Sequence, residues 1–233
     1  MQAARPLAIL RVGEDNTAML LEIFADTVCP WCYIGKRRLM RALANRPQPG
    51  LIIRWRAFQL NPGMPMAGID RAQYMTAKFG SLERAQRVFD SVARVGRNEG
   101  IEFQFERIKR TPNTLRSHRL LQAAARIGRE GALLDRFYGA YFTEGADIGD
   151  PDKLVGLAEE MGLPADMARA AVEGIPEIDL ALAEDFQSRR LGITGVPYLI
   201  FNGRFGLSGA QEPEVLYSMF DLAREDDKER LAS

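Results

Sequence analysis

The chain has 233 residues, 46% of them hydrophobic, enough to bury the core of one large domain or of a domain carrying an insertion. Lys plus Arg and Asp plus Glu number 31 each, so the formal net charge is zero, which argues against a general nucleic-acid or membrane-surface binder. No stretch approaches the ~18 consecutive apolar residues that a membrane span requires.

Residues 1–18 read as a mixed, polar, flexible extension. The apolar run from Leu7 to Leu10 is too short for the hydrophobic region of a secretory signal, so the expected location is cytoplasmic. Disulfides are usually transient in that compartment, and a close cysteine pair there reads as catalytic. Leu20–Ala25 reads as a strand. Cys29-Pro30-Trp31-Cys32 follows and holds the only two cysteines. Beyond it, Tyr33, Ile34, Leu39, Met40 and Leu43 recur at helical spacing.

A C-x-x-C at a strand-to-helix junction has chemical consequences. Free N–H groups and the positive end of the helix dipole favour a thiolate at Cys29. Pro30 suits the first turn, where its missing N–H has no helical partner. Cys32 falls one turn along the same face, in reach of a disulfide with Cys29. A structural zinc site wants four ligands, and the chain offers these two cysteines and one histidine, His118. A structural disulfide across two residues would close too short a loop to stabilise much. Redox chemistry is the preferred reading, with no metal expected.

Leu51–Phe58 reads as a second strand, completing a βαβ unit with a parallel pair. From residue 64 to about 180 helical periodicity dominates, giving an all-helical block. One or two helices run from Tyr74 to Val95, broken near Gly80-Ser81. Ile101–Phe105 reads as a short extended segment or a loop, and Asn113 as the cap of the next helix. Further helices carry Leu133 to Tyr141, then Pro151 to Met161, and a short one opens at Pro164. A helix from Pro176 to Leu191 precedes a strand at Gly195–Phe201. Asn202-Gly203 signals a hairpin returning through Arg204–Leu207. A last helix opens at Pro213, and the charged tail from Arg224 is expected to fray. The expected organisation is an extension (1–18), a first α/β part (19–63), the helical insertion (64–180), a second α/β part (181–226) and a charged tail (227–233).

This layout resembles a thioredoxin fold with a long helical insertion, as in the DsbA branch of that superfamily. Asp26-x-x-Cys29-Pro30-Trp31-Cys32-Tyr33-Ile34-Gly35, Gln59-Leu60-Asn61-Pro62, Thr194-Gly195-Val196-Pro197 and Ser208-Gly209-Ala210-Gln211 are similar to stretches of the FrnE-like proteins. The same branch includes 2-hydroxychromene-2-carboxylate isomerases and kappa-class glutathione transferases, which typically carry Ser where this chain has Cys29. The resemblance implies an α/β thioredoxin fold and thiol–disulfide oxidoreductase or disulfide isomerase activity. Cys29 would be the nucleophile and Cys32 the resolving thiol. Pro197 would be cis and face the pair, leaving the Val196 backbone open to an extended thiol substrate. Pro30 and Trp31 would add contact surface, and Gln211, before the last helix, would help bind a carboxylate such as that of glutathione.

The dithiol is itself the redox group, so no cofactor is expected, with glutathione admitted as a cosubstrate. The expected partners are thiols or disulfides, protein or small-molecule, with no nucleic acid and no membrane, and a homodimer is admitted. Asp26 reads as a cap of the active-site helix in preference to an acceptor of a hydrogen bond in the site, and His118 as a structural hydrogen-bonding group in preference to a catalytic base. Lys36, Arg37 and Arg38 read as a solvated face or a lure for an anionic thiol. The rivals are a glutathione-dependent isomerase or transferase and a chaperone-like binding protein.

Overall fold

The structure, a computed structural model, describes residues 18–174 and 179–232. Strand β1 (Met19–Ala25) lies parallel to β2 (Leu51–Ala57), and helix α1 (Pro30–Asn45) makes the crossover between them. Pairing runs in register from Met19–Leu51 to Ala25–Ala57. Leu21, Ile23 and Ala25 point to one face of the sheet and are buried, the two-residue period expected of a strand over a core.

The helical insertion follows. Two-residue strands β3 (Ile69–Asp70) and β4 (Arg110–Thr111) pair antiparallel inside it, so the block is not wholly helical as expected. Its helices are α2 (Arg71–Phe79), α3 (Leu82–Asn98), α4 (Leu115–Ala125), α5 (Glu130–Gly139), α6 (Pro151–Glu160) and α7 (Ala165–Glu173). Local chemistry sets the starts: Asp70, Ser81 and Asp150 each accept a first-turn N–H at α2, α3 and α6. Asn113 accepts from Leu115 N–H at 2.9 Å, within the turn that leads into α4. Ile101–Phe105 forms no strand; Phe103 and Phe105 stack at 4.7 Å instead and pack inward.

Helix α8 (Leu180–Arg190), capped by Asp179, returns the chain to the sheet; the expected start at Pro176 lies outside the described residues. Strands β5 (Tyr198–Phe201) and β6 (Phe205–Ser208) complete the order β2-β1-β5-β6, with β5 antiparallel to both β1 and β6. Asn202 and Gly203, both at positive φ, make the hairpin turn. Helix α9 (Pro213–Ala232) does not end at Arg224 as expected. Asp227 accepts from Asn202 at 2.6 Å and Asp226 pairs with Arg204, so contacts to the hairpin carry the helix through the charged tail.

One contiguous apolar cluster joins the two parts of the fold. Tyr33 of α1 stacks on Tyr138 of α5 with ring centroids 5.0 Å apart, and Phe142 packs behind both. Phe137, Tyr138, Tyr141 and Phe142 are fully buried, each contributing on the order of 1.5–3 kcal/mol of hydrophobic stabilisation. Helices α5 and α8 also seal the sheet's β2 edge, whose outward N–H groups would otherwise stand unpaired. Glu130 of α5 accepts from Trp55 N–H at 3.5 Å, Glu184 of α8 from Ala57 N–H at 2.9 Å, and Asp185 from Gln59 N–H at 2.7 Å.

Candidate active site

Cys29 is the N-cap of α1 and Pro30 its first residue, so the strand-to-helix junction falls where the sequence places it. The Cys29 carbonyl accepts from the N–H groups of Cys32 and Tyr33, closing the first turn and bringing the cysteines together. Both are free thiols, 4% and 1% exposed. Burial pushes the Cys32 thiol well above its ordinary pKa, and its hydrogen bond with Cys29 and the charges of Cys29 and Asp26 add to the effect. A backbone hydrogen bond from Asp26 acts in the opposite sense.

The Val196–Pro197 bond is cis, the geometry the resemblance implies. Cys29 Sγ lies 3.5 Å from the Val196 carbonyl, so the loop before β5 stands directly against the first cysteine. Gly35 makes this approach available: a Cβ there would lie 3.1 Å from Pro197 Cγ. Trp31 is 40% exposed on the helix start, beside the pair. Gln211 turns back on its own loop, donating to the Ser208 carbonyl at 2.7 Å, and lines a small cleft with Cys32, Gly35 and Pro197. The structure thus gathers Cys29, Cys32, Val196 and Pro197 closely, with Pro30, Trp31 and Gln211 around them.

The cations after the motif behave otherwise than expected. Lys36 is buried and pairs with Asp135 at 2.5 Å. Arg38 is buried too, pairs with Glu99 and Glu212, and donates to the Ala210 carbonyl at 2.6 Å. Both are structural ties between α1 and its neighbours. Arg37 remains at the surface, donating to Tyr33 Oη at 3.0 Å.

Asp26 does not cap α1, which has no side-chain cap. It is 1% exposed; Oδ2 accepts from Leu60 N–H at 2.7 Å, tying the end of β1 to the loop after β2. Oδ1 faces His118 Nε2 at 3.3 Å, and neither atom has another partner. Thr27 and Ser117 bond beside them at 2.8 Å. His118 is 3% exposed and reaches Asp26 from α4, 92 positions away by numbering. Tyr138 Oη lies 3.5 Å from the Asp26 carbonyl; burial holds its phenol well above the ordinary pKa, and the charges of Cys32, Cys29 and Asp26 add to that. Sequence reasoning noted Asp26 and His118 separately and missed their juxtaposition. The one available signal was chemical: an aspartate three residues before a reactive cysteine and a single histidine in the chain.

A small cleft of about 60 Å³ opens beside Val28 and Pro30, walled by Asn61 and by Arg71, Tyr74 and Lys78 of α2. Arg71 donates to Tyr141 Oη at 3.2 Å and lies over the Phe89 ring, and Lys78 donates to Tyr74 Oη at 3.1 Å. Among the described residues neither makes an ion pair. These two cations were not singled out from the sequence, because the chain is charge-balanced and nothing local marks them as uncompensated.

A dithiol at the start of α1, a cis-proline loop against it and a helical insertion between the halves of the sheet define a thioredoxin-fold protein of the DsbA type. Residues 20–221 match the family described as DSBA-like thioredoxin domain, and the chain belongs to that family. It is similar to the crystal structure of a probable DsbA oxidoreductase from Streptomyces coelicolor, at 36% identity and TM-score 0.80 over 88% of this chain and 89% of that one. It is 26% identical to the uncharacterized protein YwbO of Bacillus subtilis, over 90% of this chain and 98% of the other. The fold also resembles the cytosolic disulfide reductase DsbM of Pseudomonas aeruginosa, solved with glutathione, at 22% identity and TM-score 0.59 over 92% of this chain and all of that one.

Proposed function

We propose that the protein is a thiol–disulfide oxidoreductase that exchanges the Cys29/Cys32 dithiol with disulfides in the cytoplasm. The observation that carries this reading is the placing of the pair: two cysteines in contact at a helix N-terminus, Cys29 facing the carbonyl that precedes a cis proline. In the reductive direction, Cys29 thiolate attacks one sulfur of a substrate disulfide, and the other sulfur leaves as a thiolate. Cys32 then gives its proton to the Asp26 carboxylate and attacks Cys29 Sγ, which releases the second substrate thiolate and leaves the Cys29–Cys32 disulfide. Oxidation of a substrate dithiol is the same path reversed.

The Val196 backbone and the exposed Trp31 suit an extended peptide beside the sulfurs. The uncompensated Arg71 and Lys78 suit a substrate that carries a carboxylate, and glutathione has that chemistry. The cytosolic DsbM structure with glutathione supports the same choice of compartment and substrate class.

Equilibration in glutathione buffers, with trapping of free thiols, tests the reading. The expected result is a reversible two-electron transition between roughly −120 and −270 mV, the span of catalytic pairs. Turnover is expected to require both cysteines, so Cys29→Ser and Cys32→Ser should each abolish it. A pair that never closes, or full activity in Cys32→Ser with glutathione bound as cosubstrate, would replace the reading with a glutathione-dependent isomerase or transferase.

A further inference from the structure

We propose that His118 and Glu130 carry the proton of Cys32 away from the dithiol through a cleft at the β2 edge, on a route separate from the substrate cleft. The proposal rests on the reading of Cys32 as the resolving thiol. Cys32 must lose a proton to attack Cys29, and it is buried beneath its partner. Asp26, the carboxylate whose charge reaches it, is buried as well and has no contact with solvent through which to pass that proton on. The free oxygen of Asp26 faces His118 Nε2 at 3.3 Å. His118 in turn lines a narrow cleft, with room for about one water, together with Trp55, Arg56, Gln122, Glu130 and Glu184. No residue of this cleft lines the one beside Pro30, so a bound substrate would leave it open.

The charged groups of the cleft are not equivalent. Arg56 on β2 is shared between Glu22 on β1, at 2.6 Å, and Glu184 on α8, at 2.8 Å. Glu184 also accepts from Ala57 N–H and from Gln122. Glu130 on α5 accepts one long bond, 3.5 Å, from Trp55 N–H and makes no ion pair among the described residues. Arg54 and Arg56 of β2 and Glu184 act on it only at a distance, and burial keeps its carboxyl pushed up to about 7. It is therefore the carboxylate of the cleft that both takes up and gives up a proton near neutral pH. The sequence of transfers is Cys32 to Asp26, Asp26 to His118, His118 to Glu130 through water in the cleft that both line, and Glu130 to solvent, one proton at each step.

The experiment follows the reaction of the reduced full chain with 5,5′-dithiobis-(2-nitrobenzoate). Cys29 attack releases one coloured thiolate and leaves a mixed disulfide. Cys32 attack then releases the second coloured thiolate and one proton. The first release, which involves neither Cys32 nor its proton, is the internal reference. In the wild type the second release should accelerate with pH through about 7. In Glu130→Gln and in His118→Gln it should be slower by about tenfold at pH 8 and lose that inflection, the scale of a modest proton-transfer contribution. The reduction potential, an equilibrium quantity, should stay unchanged in Glu130→Gln.

Second-release rates equal to wild type at every pH in both variants would overturn the proposal while leaving the dithiol reading intact. Should His118→Gln fail to fold, Glu130→Gln decides alone. Absence of the second release from the wild type would bring down the dithiol reading and this proposal together.

Discussion

Cys29 and Cys32 are three positions apart on one helix start, yet they face different surroundings. In front of Cys29 stand backbone and surface: the Val196 carbonyl, the cis Pro197, the exposed Trp31. Behind Cys32 stand buried ionisable groups: Asp26, Tyr138 from α5, and His118 from α4 against Asp26. The front is suited to recognising a substrate whose identity varies, because main-chain groups and an exposed ring accept many partners. The rear is suited to controlling a proton, because buried charges act strongly where water does not screen them. In the proposed reaction, recognition and proton handling fall on opposite sides of a single turn of helix.

That division makes the two sides breakable in different ways. The largest effect is expected at the rear. Asp26→Ala strips the partner from Leu60 N–H and from His118, and should cost about 3 kcal/mol or more of stability, measured by urea unfolding. Asp26→Asn keeps an acceptor for Leu60 N–H and should retain most of that stability. A loss below about 1 kcal/mol in Asp26→Ala would mean that the buried pair does not hold β1 to the loop after β2.

A second effect belongs to Glu130, whose pKa is raised from 4.5 to about 7 in the fold. The folded state therefore binds more protons than the unfolded chain between those values. Its contribution to stability is full below about 4.5 and is lost as pH rises through about 7. The decline should amount to at most about 3 kcal/mol, and Glu130→Gln should flatten it. An identical pH slope in wild type and variant would show that Glu130 titrates normally.

The smallest effect on stability is expected in front. Trp31→Ala removes a partly exposed ring, and unfolding free energy should move by no more than about 0.5 kcal/mol. The KM for a peptide disulfide should rise about fivefold, corresponding to about 1 kcal/mol of lost apolar contact. If stability fell sharply and KM did not move, Trp31 would be a packing residue and the contrast between front and rear would narrow.

The front was legible before any fold was known, because its parts are short contiguous stretches. Cys29-Pro30-Trp31-Cys32 sits between a strand pattern and a helix pattern, and Gly195-Val196-Pro197 opens the next strand. The rear was not legible. Asp26 looked like a helix cap, since an acidic residue shortly before a helix usually is one, and the fold spends it on Leu60 N–H instead. Lys36 and Arg38 looked like a solvated face because no carboxylate lies near them in sequence; Asp135, Glu99 and Glu212 come from elsewhere in the fold. The charged tail looked too polar to hold a helix, and the hairpin's Asn202 and Arg204 hold it.

The sequence by itself determined the period of each element, most of the helix starts and the placing of the cysteine pair at the start of α1. All of these depend on neighbours within a few residues, where spacing and capping act directly. Only the tertiary structure decided which buried groups meet. The Asp26–His118 contact and the three carboxylates along the β2 edge join residues at least 75 positions apart by numbering. Such pairs leave no local pattern, because each member is an ordinary polar residue until packing removes the water around it and leaves it one partner.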